Sequence, residues 1–236
     1  MMENGTNPFW SCYALQEINV HEDNEAYASV DGIVFNNDMS VLCYYPPNKA
    51  DSTYTIPSSV TTLATNSFNY TKNINSLTLP DTVITLSNEC FGHAKIKSII
   101  LNDNITVIPR SCFSGSFIEE IVIPDSVEAI EYGAFYNCNN LKNVTIGSGV
   151  KTIADSIFQY CDELTAIHYK GTEAQWNEIV IHEENVYLNN MAIHYVTDEM
   201  YKDGFESDCE TDGHTSGIYC AECELYVTGD TLYAPG

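Results

Sequence analysis

Phenylalanine returns along this chain as Phe68, Phe91, Phe113, Phe135 and Phe158, at intervals of 23, 22, 22 and 23 residues. Three further apolar columns keep the same phase: Val60, Val83, Ile105, Val127 and Val150; Leu63, Leu86, Ile108, Ile130 and Ile153; Leu77, Ile99, Ile121, Val144 and Ile167. A fifth runs Leu79, Leu101, Ile123, Ile146, Tyr169. So many columns in register do not arise by chance. A period of this size specifies a solenoid, in which each unit leaves an apolar face that only its neighbours bury.

The clearest unit reads Ile123-Pro124, Val127, Ile130, Ala134-Phe135, Cys138, Leu141, Val144, Ile146. Leu141, Val144 and Ile146 end in β-branched alternation, which suits a short strand, and Pro57, Pro80, Pro124 or Gly147 closes it. Val127 and Ile130 suit a second extended piece, and the Phe with its small neighbour suits one helical turn. Each coil then adds a strand to a parallel sheet and a turn to the opposite face.

This pattern resembles the BspA-type leucine-rich repeat family of bacterial and protozoan surface proteins. Its signature is carried by Leu141, Val144 and Ile146 and by Pro124, Val127, Ile130, Ala134, Phe135 and Cys138, and the likeness covers about residues 9 to 195. Ser67, Cys90, Cys112 and Ile157 stand in place of the family's Ala, and Gly147 in place of a Pro. The resemblance implies an α/β class of fold: a right-handed leucine-rich-repeat solenoid with a parallel sheet on one face, short helical turns opposite and a C-terminal cap. It also implies a non-enzymatic adhesion or recognition module at a microbial cell surface, whose partner is a protein or the extracellular matrix. Two alternatives stay open: a structural spacer in a multidomain surface protein, and a scaffold carrying a metal-binding C-terminal element.

Domain boundaries follow from where the period breaks. The solenoid is expected over 1–195 and an acidic, Cys-containing tail or small separate element over 196–236. Phe9, Cys12, Leu15, Ile18 and Val20 match the spacing of Phe135, Cys138, Leu141, Val144 and Ile146, so the chain is expected to open in mid-repeat, as a piece of a longer precursor. Residues 27–45 read as a hairpin inserted into one coil, with a turn at Asn36-Asn37-Asp38. It either decorates that coil or presents Tyr44 and Tyr45 as exposed contact residues. Residues 170–195 read as a cap: Thr172 and Gln175 form a capping box, and Trp176 plugs the apolar end.

Charge narrows the partners. Acidic residues outnumber basic ones 33 to 9, a formal charge of −24, which repels phosphate backbones and anionic lipid. Nucleic acid is excluded on that ground, and membrane insertion because no apolar run is long enough to span. Met1-Met2-Glu3-Asn4-Gly5 has neither the basic region nor the apolar stretch of a secretion signal.

Residues able to carry chemistry are few. Cys12, Cys138 and Cys161 share one repeat position and Cys90 and Cys112 another, which reads as a buried core ladder. Cys209, His214, Cys220 and Cys223 offer four soft ligands, the number a tetrahedral zinc site uses; a disulfide or free thiols are the alternatives. Ile167-His168-Tyr169 recurs as Ile193-His194-Tyr195, so strands paired in parallel would set two imidazoles about 5 Å apart on one face. No catalytic set is present: G-x-S-x-G, a Gly-rich phosphate loop and H-E-x-x-H are all missing.

Strand alternation then assigns the outward columns. One is Asn19, Thr78, Ile100, Val122, Thr145 and His168; its neighbour includes Glu120. Ile100 and Val122 stand out as β-branched apolar residues at solvent-facing positions, which is the mark of a binding face or simply of strand preference.

Overall fold

The computed structural model describes residues 8, 9 and 11–196, and beyond them the backbone of five short strands between Tyr201 and Leu232. Two parallel ladders run the length of the solenoid. The first joins β5 (Ser76–Thr78), β7 (Ser98–Ile100), β9 (Glu120–Ile123), β11 (Asn143–Ile146), β13 (Ala166–Tyr169) and β15 (Ala192–Tyr195). Its register follows the sequence period, with Leu77 opposite Ile99 and Ile121, Val144, Ile167 and Ile193 in line. The second ladder is made of shorter pieces: β3 (Val41–Tyr44), β4 (Thr62–Leu63), β6 (Thr85–Leu86), then β8 (Val107–Ile108), β10 (Ala129–Ile130), β12 (Thr152–Ile153) and β14 (Val180–Ile181).

The third side of each coil carries the Phe column. All five rings are buried, and successive centroids lie 5.4, 5.3, 5.2 and 5.4 Å apart in stacked orientation. This is close to the strand spacing of about 4.8 Å, so one ring per coil fills the core with no offset to absorb. The segment around each Phe is not helical. The residue two before it (Asn66, Glu89, Ser111, Gly133, Ser156) and the residue two after it (Tyr70, His93, Gly115, Asn137, Tyr160) all have φ between 52° and 67°. Left-handed residues on both sides stop a helix from propagating. Instead, in the coils of Phe68, Phe91, Phe113 and Phe135, the amides of those residues and of the Phe donate to the next coil, as from Ser111 to the Tyr132 carbonyl, Phe113 to Ala134 and Gly115 to Tyr136. Among the described residues α-helix is confined to the cap, in α1 (Glu173–Trp176) and α2 (Val186–Asn189).

The region read as an inserted hairpin is a meander grafted onto the solenoid. β1 (Tyr27–Val30) turns through Asp31 and Gly32, both at positive φ, into β2 (Ile33–Asn36), which pairs antiparallel with β3. β3 then pairs in parallel with β4, placing Leu42 beside Leu63. The meander's last strand is therefore the first strand of the second ladder.

Both ends differ from the middle. At the N-terminal end the Phe9 turn has the repeat's bonds, with the Cys12 amide donating to Phe9 and Leu15 to Cys12. Yet Phe9 is only half-buried and packs on Tyr44 in a small cluster with Val34 and Cys43, away from the main column. Cys12 is exposed, which corrects its assignment to the core ladder. At the other end Thr172 and Gln175 form a reciprocal capping box at the start of α1. The buried Trp176 meets the Tyr169 ring edge-on at 5.1 Å. β14 and β15 prolong both ladders, so the apolar end of the last repeat is covered. Further on, β16 (Tyr201–Lys202), β18 (Gly217–Cys220) and β19 (Leu225–Tyr226) pair antiparallel, as do β17 (Gly213–His214) and β20 (Thr231–Leu232).

Candidate functional site

The outward face of the first ladder is where the binding columns were placed, and its halves differ. On β5, β7 and β9 the alternation holds: Leu77, Ile99 and Ile121 are buried, while Thr78, Ile100, Glu120 and Val122 face solvent. Ile100 is 55% exposed and Val122 42% exposed, on adjoining coils. Thr78 pairs directly with Ile100, and a shallow depression lined by Tyr54, Thr55, Ser76, Thr78 and Pro80 opens beside them. A strip of two apolar side chains is thus bordered by hydroxyls and, at Glu120, a carboxylate. Asn19 is also exposed, but it belongs to the segment that packs beside the meander, where the Ile18 amide donates to the Gly32 carbonyl.

On β11 and β13 the same columns are buried. Thr145 is 3% and His168 2% exposed, which removes both from the solvent-facing set. Alternation decides which way a side chain points; exposure depends on what packs over that stretch of sheet. His168 and His194 are in register across the β13–β15 pair, with ring centroids 5.5 Å apart and nearly perpendicular. Burial, and then the neighbouring His194, push the His168 imidazole below its ordinary pKa. The anticipated juxtaposition is real, but the pair is largely withdrawn from water.

Tyr44 and Tyr45 are buried as well, at 3% and 1% exposed, and are corrected from contact residues to core. The Tyr45 ring stacks on Phe68 at 5.2 Å and so adds a ring to the Phe column. Its spacing of 23 residues from Phe68 was the available clue. Burial, with Asp51 second, pushes the Tyr45 hydroxyl well above its usual range.

The buried cysteines behave as small core groups. Cys138 and Cys161 donate to the carbonyls of Phe113 and Phe135, each at 3.0 Å, and the sulfurs of Cys90 and Cys112 lie 3.5 Å apart. Burial raises the Cys112 thiol well above its ordinary pKa, so neither nucleophile nor metal ligand is poised there. The four-ligand zinc set of Cys209, His214, Cys220 and Cys223 lies outside the residues whose side chains are described. One grouping escaped the sequence reading because it joins two coils: ligand atoms of Asp155, His182 and Glu184 lie within 4.8 Å of one another at the surface. The Nδ1 of that histidine accepts from the Glu184 amide, so the ring's one lone pair is already engaged and Nε2 carries the hydrogen.

Comparison with known proteins agrees with this geometry. The family of BspA type leucine-rich repeat regions matches residues 43–165 in six copies. Similar solved structures include a leucine-rich cell surface protein of Faecalibacterium prausnitzii, at 30% identity and a TM-score of 0.69 over 74% of this chain and 47% of that one. The pneumococcal vaccine antigen PcpA aligns at 23% identity and 0.63, over 78% of this chain and 50% of that one. A leucine-rich repeat protein of Eubacterium ventriosum aligns at 23% and 0.62, over 70% and 46%. The last two likenesses concern fold alone, and the chain spans about half the length of each of these proteins. No curated protein sequence is a significant match.

Proposed function

Because the chain belongs to the BspA-type leucine-rich repeat family, we propose that it is a non-enzymatic recognition module of a bacterial surface protein, binding a protein partner through the outward face of β5, β7 and β9. The observation that carries this reading is the Ile100–Val122 strip. Polar residues would cost nothing at two solvent-facing positions, yet two adjoining coils expose branched apolar groups there. Ringed by Thr78, Ser76 and Glu120, such a strip has the apolar centre and polar rim of an interface. Surface location is supported by the description of the Faecalibacterium relative as a cell surface protein. A repeat stack whose core is packed with side chains leaves little room for a catalytic cleft, in keeping with a binding role.

The test replaces Ile100 and Val122 together with Asp and measures capture of immobilised host-matrix proteins. Capture is expected to vanish while circular dichroism stays unchanged, since both side chains are exposed. Undiminished capture by the folded double variant would move the site off this face. A spacer role predicts no saturable partner for either form.

A further inference from the structure

A second surface lies on the Phe-bearing side of the coils. Tyr136 and Tyr160 meet edge-on with centroids 5.3 Å apart, and Tyr160 meets Tyr187 of the cap at 5.9 Å. Tyr132 adjoins them: after burial, the phenols of Tyr160, Tyr132 and Tyr187 are what raise the Tyr136 hydroxyl above its ordinary pKa. Tyr132, Tyr160 and Tyr187 remain 43%, 43% and 39% exposed. This array spans two coils and the cap, which no single repeat reveals.

The array rests on a repeat position. Tyr160, at φ 63°, shares its left-handed conformation with the equivalent Tyr70, His93, Gly115 and Asn137 of the preceding coils, so a turn common to every coil sets where its ring emerges. The array also already holds a cation. The Arg110 guanidinium lies 4.8 Å from the Tyr132 ring centre, and the Arg110 amide donates to the Glu131 carboxylate. Cation on ring, carboxylate alongside, is therefore a geometry that this surface supports.

Carboxylates adjoin two of the rings along the chain. Asp162 and Glu163 follow Tyr160, and Glu183 and Glu184 precede Tyr187, all exposed. The whole chain carries a formal charge of −24, which draws cationic partners from a distance. We infer that the Tyr132–Tyr136–Tyr160–Tyr187 array is a docking surface for an arginine- or lysine-bearing polypeptide segment, whose cations stack on the exposed rings while the flanking carboxylates neutralise them. Arginine suits it better than lysine, because a planar guanidinium stacks as well as pairs.

The probe is a fluorescein-labelled peptide of alternating Arg and Gly, about eight residues long, titrated by anisotropy into the full chain at several salt concentrations. Saturable binding that weakens with salt is expected. Replacing Tyr160 and Tyr187 by Leu removes two exposed cation–ring contacts and should weaken binding about fivefold to thirtyfold. The Tyr160→Phe, Tyr187→Phe pair keeps the rings and should stay within about threefold of the parent. Changing Ile100 and Val122 to Asp, on the sheet face, should leave the affinity no weaker. Each of three outcomes would overturn the inference: no saturable binding, full affinity in the Leu variant (attraction by net charge alone), or equal losses in the Phe and Leu variants. Preference for a matching Glu-Gly peptide, or self-association lost in the Leu variant without peptide binding, would likewise assign the surface to a different occupant.

Discussion

Replacing Phe113 by Ala removes the central ring of the column. Phe113 is fully buried between Phe91 and Phe135, with centroids 5.3 and 5.2 Å away and planes within 8° and 2° of parallel. Deleting a buried Phe costs about 3–5 kcal/mol from lost transfer energy and the cavity left behind. Phe113→Leu separates the two parts: it refills most of the volume and chiefly forfeits two ring contacts of about 0.5–1.5 kcal/mol each, so about 1–3 kcal/mol. At Phe158 the column has one further ring, Phe135 at 5.4 Å, and the Leu variant should lose about half as much. Urea unfolding followed by far-ultraviolet circular dichroism measures both. In a Trp10→Phe background the fluorescence of Trp176 reports on the cap alone. In an array held by nearest-neighbour interfaces, the two midpoints should coincide in the parent protein, and a lesion of this size in the middle coil should part them. A loss below about 1 kcal/mol for Phe113→Ala, or equal Leu losses at 113 and 158, would refute the stacked-column account.

Glycine substitutions should rank by what the new Cβ meets. At Gly149 it would stand 1.8 Å from the Asp125 carbonyl oxygen, a backbone clash, whereas at Gly133 (φ 59°) its nearest neighbour is the Tyr136 Cβ at 3.5 Å. Gly133→Ala should therefore cost only the left-handed penalty, about 1–2 kcal/mol, and Gly149→Ala clearly more, read from thermal midpoints. Stability should fall on acidification through the histidine range, because the His168 pKa is lowered in the fold. The unfolded chain takes up that proton first, near its ordinary pKa of about 6.5, so stability is full above that value and declines towards the lower folded pKa. His168→Asn should flatten the slope in a pH series of urea melts. Iodoacetamide should label Cys12 in the native solenoid but reach Cys43, Cys90, Cys112, Cys138 and Cys161 only after denaturation, as peptide mass spectrometry would show. Rapid native labelling of Cys90 or Cys112 would contradict their burial.

The sequence by itself determined the coil, the register and the core. Each apolar column is spaced by one period, and only stacking in phase buries all of them at once, so Leu77, Ile99, Ile121, Val144 and Ile167 had to align. The cap was legible for a local reason, since Thr172 and Gln175 lie within one helical turn of each other. Exposure on the sheet face was legible only in part. Alternation distinguishes Ile99 from Ile100 on every strand alike, but it does not say that Val122 faces water while Thr145, its partner one coil on, is covered. Tyr45 stands one period before Phe68, yet the spacing alone does not tell an added ring of the Phe column from an exposed tyrosine at the end of a hairpin strand. The left-handed corners were equally hidden. Gly115 and Gly133 hint at them, but Tyr70, Glu89 and His93 adopt the same conformation because bonds to the next coil hold it there. The tyrosine array is the plainest case of what tertiary structure decided. Its members come from different repeat positions and from the cap, and they meet only because the coils stack about 5 Å apart.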